Sequence, residues 1–223
     1  MLLDIFEVCL IFIAPIVLIY YKMIPFSLRL WTLGIFFSFS ILIILQERWP
    51  LKTLGIRLDN IKSALAPYAI FVIMGLAFLF WLSRFISYGL PAQWWRETHF
   101  FLFIPVSIAQ EVPYRGFLFP RLATIIASAP IIIVVNATLF AFLHIIYPHK
   151  KFNLLLGFIS GVGFAFIYYL FPNLILISLA HIILNFTAIV LGFFTLTTTE
   201  TTVANGKFKN RVARDIFLKL YND

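Results

Sequence analysis

Long apolar runs set the pattern of this chain. Ile5–Tyr21, Leu28–Leu45, Ala64–Leu82, Phe100–Ala109, Leu122–Ile146, Phe152–Phe171 and Leu174–Leu196 are each nearly free of charge. Most approach the roughly 20 residues that a helix needs to cross a bilayer. The Phe100–Ala109 run is short and is completed only by reading on through Gln110, Glu111 and Arg115. The pattern predicts an all-α, polytopic bundle of about seven membrane helices, because a lone segment in lipid must satisfy its backbone internally.

Polar stretches punctuate the runs. "QERWPLKTLGIRLDNIKSA" (Gln46–Ala64) is a basic connection suited to the interface. "SYGLPAQWWRETH" (Ser87–His99) carries the pair Trp94–Trp95, and indoles favour the headgroup level. "YPHKKF" (Tyr147–Phe152) is a short basic turn, and "LFPNL" (Leu170–Leu174) is a tight uncharged one. His99 and His149 sit in connections and are expected to be interfacial. Residues 1–196 are expected to form the membrane domain, 197–206 a polar linker and 207–223 a basic amphipathic helix, with Phe208, Val212, Ile216 and Leu220 four apart. Such a helix fits an anionic leaflet or a solvated tail equally well.

Composition sharpens this without changing it. The 223 residues are 62% hydrophobic, with a mean hydropathy of +1.01. The net charge of +8 resides mostly in connections and tail, as the positive-inside rule expects, so no nucleic-acid partner is inferred. Membrane lipids are the expected surroundings. Cys9 is the only cysteine, so no intramolecular disulfide forms. "MLLDIFEVCL" has no basic residue ahead of its apolar run, unlike a cleavable signal peptide. Five basic residues in the tail place the C-terminus in the cytoplasm. Counting back makes the Lys150–Lys151 turn cytoplasmic and the Pro172 turn external. The Gln46–Ala64 connection, with Arg48, Lys52, Arg57 and Lys62, then falls outside. Either it loops back or the helix count near the N-terminus differs.

Ionisable groups at membrane depth are expensive and call for a role. They fall on three of the last four helices. Glu111 and Arg115 are i and i+4 and can pair on one face. Gln110 lies about 100° round the helix from Glu111. Phe140 and His144 repeat the i, i+4 offset, as do His181 and Asn185. One such histidine alone is ordinarily a hydrogen-bonded core residue. Three polar clusters together predict a shared interior site. Pro113 removes a backbone donor inside the first cluster and predicts a kink, tolerated only beside protein or a water-filled cavity. Gly157, Gly161 and Gly163 predict close packing of the Phe152–Phe171 helix. Glu111, His144 and His181 also make a conceivable zinc set with an open fourth position.

In their order and spacing, "QEVPYRG" (Gln110–Gly116), "FAFLH" (Phe140–His144) and "HIILN" (His181–Asn185) resemble the motifs of the CAAX prenyl protease and bacteriocin-processing family, abbreviated CPBP or ABI. The similarity spans roughly residues 100–186, with a weaker echo in Leu54–Arg57. The resemblance implies an intramembrane endopeptidase of the glutamyl type, in a bacterial or archaeal plasma membrane, acting on a peptide or lipidated protein without a cofactor. It implies that an acid and His144 activate water, while His181 and Asn185 hold the oxyanion. Such groups suit hydrolysis: a desolvated carboxylate is a stronger base, and an imidazole and amide one turn apart can share one O⁻. Gln110 stands where the family has its first acid, and a glutamine amide cannot take a proton from water. Glu111 serves as the base or its supporting acid, the protein is a silenced pseudo-protease acting as an immunity or scaffold protein, or the glutamine is an introduced change. Arg115 is expected to fix the first helix, and Gln110 and Phe140 to line the site.

Overall fold

The computed structural model describes residues 1–85, 103–147, 150–191 and 193. Trp94, Trp95, His99, His149, the linker and the basic C-terminal helix lie outside the described residues. Among the described residues there is no strand.

Five helices are long and apolar enough to cross a membrane: α1 Leu2–Tyr20, α2 Phe26–Gln46, α3 Ile61–Ser83, α5 Ala129–Ile146 and α6 Lys150–Leu170. Helix α7, Leu174–Val190, is shorter and equally apolar. Helix α4 runs as Phe103–Glu111, a π-helical turn Val112–Phe117, then Leu118–Ile125. With these two the helical passes among the described residues number seven, five of them long and apolar enough to cross a membrane.

Pro113 explains the interruption of α4. Without its N–H the helix cannot keep its i→i−4 ladder, and it widens by one residue rather than opening. The loosened turn is stitched to α5 instead. Asn136 Nδ2 donates to the Tyr114 carbonyl at 2.7 Å, and the Tyr114 hydroxyl donates to the Leu139 carbonyl at 3.2 Å. Helix α1 has a π turn of its own, Cys9–Ile13, just before Pro15. Phe12, fully buried within it, packs edge-on against Tyr114 with ring centroids 4.9 Å apart.

The two ends of the bundle hold differently. At one end Arg121 of α4 gathers Asp4 (3.0 Å), Glu7 (3.2 Å) and Glu47 (2.7 Å), and its guanidinium lies over Trp49. That explains two acids inside an apolar N-terminal run. Also at this end, the connection after α2 clasps the turn before α7. Leu174 N donates to the Gly55 carbonyl (2.7 Å), Asn173 Nδ2 to the Arg57 carbonyl (3.0 Å), and Asn60 Nδ2 to the Pro172 carbonyl (3.0 Å). The Gln46–Ala64 connection therefore shares an end with the Pro172 turn, as seven passes require. The conflict between its charge and the helix count does not come from a miscounted helix. Two of its charges are met locally, because Arg57 pairs with Asp59 at 2.7 Å.

Helices α5 and α6 pack closely over small residues, as the glycines predict. A Cβ at Gly161 would lie 3.1 Å from Ala137 Cα, and one at Gly157 would lie 3.3 Å from Ala141 Cα. Gly163 faces α3 instead, where a Cβ would meet Phe71 at 3.1 Å.

Candidate active site

Glu111 ends the first segment of α4 and is fully buried. The expected pair with Arg115 forms: Arg115 Nε is 3.3 Å from Oε2, and Arg115 Nη1 donates to Oε1 at 3.4 Å. Arg115 is fully buried too, with its guanidinium 4.7 Å from the Phe140 ring centroid and 5.5 Å from that of Phe164. Charged groups out of water need partners of this kind. Glu111 has a second one, because His181 Nδ1–H of α7 donates to Glu111 Oε1 at 2.5 Å. Motifs one and three therefore meet directly.

The other residues close around this contact. The His181 ring sits between Phe164, centroids 4.9 Å apart, and Phe140, 5.8 Å apart. His144 is half-buried in the last turn of α5, and its Nδ1–H donates to the Phe140 carbonyl at 3.0 Å. That contact selects the tautomer whose Nε2 carries the lone pair in neutral imidazole. Asn185 lies one turn beyond His181, and its Nδ2 donates to Ser107 Oγ at 3.0 Å.

His144, His181 and Asn185 line one cavity of about 450 Å³. Its other walls are largely apolar, from Phe71 and Met74 on α3 and from Ile159 and Gly163 on α6. Wall residues Met74, Ile159 and Phe166 are largely exposed, so the cavity opens sideways, toward the lipid-facing surface between α3 and α6. The site was expected from the last four helices. Helix α3 adds a wall that no motif announces.

Six of the seven candidates come together: Glu111, Arg115, Phe140, His144, His181 and Asn185. Gln110 does not line this cavity, contrary to expectation. It is half-buried, and among the described residues its side chain makes no hydrogen bond. The reason is rotational, since Glu111 points at α7 and its neighbour is turned about 100° away. Glu111 itself does not line the cavity; it sits behind His181. The proposed zinc set does not assemble either. No group of three or more His, Cys, Asp or Glu among the described residues could hold a metal ion, and Glu111 already faces a buried guanidinium. Ser107, Phe164 and the contact of Gly157 with His144, where a Cβ would lie 3.0 Å from Nδ1, were not expected from the sequence. Only the i, i+4 offset of Ser107 from Glu111 could have signalled the first.

The fold and this cavity define the class: a polytopic helical membrane protein with a buried carboxylate behind two imidazoles and an amide. Residues 92–187 match the family model Rce1-like, described as type II CAAX prenyl endopeptidase Rce1-like. The match covers somewhat under half of the chain and includes all three motifs, so that segment is similar to the family the motifs resemble. It supports a CAAX-protease-like intramembrane endopeptidase in general. No curated protein and no solved structure matches the chain.

Proposed function

We propose that this chain is an active intramembrane endopeptidase that hydrolyses a peptide or lipidated protein at the lateral cavity. The observation that carries the reading is the grouping of His144, His181 and Asn185 on one cavity, with His181 held by a buried carboxylate.

The roles follow from the tautomer each ring adopts. Water gives its proton to His144 Nε2 as its oxygen bonds to the scissile carbonyl carbon. The carbonyl π electrons move onto oxygen. His181 Nε2–H and the second Asn185 Nδ2–H hold that oxyanion, and Glu111 stabilises the imidazolium this requires of His181. Collapse re-forms the carbonyl and breaks the C–N bond, and His144 returns its proton to the leaving amine. Glu111 is thus the supporting acid, and Arg115 fixes it. Gln110 takes no part. We place the C-terminus in the cytoplasm on its basic residues, in a bacterial or archaeal plasma membrane.

The test is cleavage of a quenched fluorogenic peptide bearing a prenylated cysteine, by purified protein in detergent. His144→Ala and His181→Ala are each expected to lower the rate by about 100-fold or more. Wild-type rates in both would remove the assignment, and retained biological activity without cleavage would favour a binding or immunity role. Activity is expected to survive a chelator. Its loss, with recovery on added zinc, would restore the metal alternative.

A further inference from the structure

Helix α4 touches α7 at two successive turns. Glu111 accepts from His181, and Ser107, four residues earlier on the same face, accepts from Asn185. In both contacts an oxygen on α4 takes one donor of a side chain that lines the cavity. Ser107 is fully buried, so its hydroxyl serves no solvent-facing purpose. No motif includes it.

We propose that Ser107 is a positioning residue that sets the amide of Asn185. This rests on the endopeptidase reading above. An asparagine amide can turn about its terminal torsion, and it presents either an acceptor or two donors. With one Nδ2–H committed to Ser107 Oγ, the NH₂ end is fixed and the second hydrogen stays available to an oxyanion. Without Ser107 the amide turns, and in some orientations its carbonyl oxygen faces the developing negative charge. The ground state loses little, because no bond to the substrate's uncharged carbonyl depends on this alignment. The loss falls on kcat rather than KM.

The experiment is a double-mutant cycle between Ser107→Ala and Asn185→Ala, read with the same prenylated peptide alongside thermal unfolding. Ser107→Ala is expected to lower kcat about tenfold, equivalent to about 1.4 kcal/mol and the scale of one hydrogen bond. KM should change by less than about twofold, since uniform binding is untouched. In the Asn185→Ala background, Ser107→Ala should have no further effect on kcat. A merely structural serine would lower both backgrounds equally, and that additive result overturns the proposal. So does a wild-type kcat in Ser107→Ala while Asn185→Ala is impaired. If Asn185→Ala and His181→Ala both cut at the wild-type rate, the endopeptidase reading itself fails. Should the alanine variant not fold, Ser107→Cys is near-isosteric and a poor acceptor, and is judged by the same outcomes.

Discussion

Replacing Glu111 by glutamine tests whether the carboxylate present in the chain, rather than position 110, supports the chemistry. The change strips the negative charge that lies 3.3 Å from Arg115 Nε and 2.5 Å from His181 Nδ1. Both Glu111 and Arg115 are fully buried, so the guanidinium is left without its counter-charge. Breaking such a pair costs about 3–5 kcal/mol, a large part of a typical margin of about 5–15 kcal/mol. Lost activity in Glu111→Gln alone would therefore be ambiguous. Adding Arg115→Met removes the second charge and keeps the volume, and exchanges of this type are often neutral or stabilising. The double variant should regain most of the unfolding midpoint in scanning fluorimetry.

Activity should not return with stability. Without the carboxylate, His181 has nothing to hold its charged form, and we expect a loss of about 10²–10⁴-fold, or about 2.7–5.5 kcal/mol of barrier. The assay is initial cleavage rate at a temperature below both unfolding midpoints. Gln110→Glu is the complementary arm and should give no gain beyond about twofold, since its side chain is turned about 100° away from that of Glu111. Two results would refute the reasoning: wild-type rate in Glu111→Gln/Arg115→Met, or a gain of about 100-fold in Gln110→Glu. The first makes Glu111 purely structural, and the second returns the missing acid to position 110.

Three further outcomes are expected. Gly157→Ala puts a Cβ 3.0 Å from His144 Nδ1, so it should cost about 1–3 kcal/mol and also lower kcat; Gly161→Ala crowds Ala137 Cα at 3.1 Å, away from His144, and should lower the unfolding midpoint with kcat kept. Gly55→Ala forces a side chain onto a φ of +72° and against the Tyr168 hydroxyl; it should destabilise by about 1 kcal/mol or more and speed protease cutting within 47–60. Arg57, by its hydrogen bonds, holds the Asp59 carboxyl below its usual range, so the stability this pair adds is intact above the unfolded value of about 4 and fades only as pH falls through the lowered one. The protection this pair adds against hydrogen exchange in the connection, read as the difference from Asp59→Asn, should be constant from neutral pH down to about 5.

The chain discloses its passes because lipid leaves few options: each crossing must be a helix of a certain length, and run length alone reveals it. The i, i+4 offsets similarly disclose Glu111–Arg115, which is local. The orientation of α4 is a different matter. A π turn adds a residue to one turn and rotates the rest of the helix, so spacing does not decide which of Gln110 and Glu111 faces α7. Nor does periodicity find the cavity wall on α3. In a soluble helix the polar stripe marks the outside. Here the lipid face and the core face are both apolar, and Phe71 and Met74 look no different from their neighbours until packing is known.

Placing Glu111 behind the ring rather than in the cavity also makes electrostatic sense. An ionised carboxylate lining an apolar cavity would repel the oxyanion that hydrolysis creates, at the step where stabilisation matters most. Behind His181 the same charge acts through the imidazole, which presents a donor to the substrate and keeps the negative oxygen at its far side. Arg115, stacked on Phe140 and Phe164, balances Glu111 when His181 is neutral. A proton on His181 adds one positive charge to that balanced pair, and the developing oxyanion is the charge it meets. On this view Gln110 is not a silenced base. It occupies a position that, in this arrangement, has no reacting group to serve, and a charge introduced there should weaken the fold without helping the reaction.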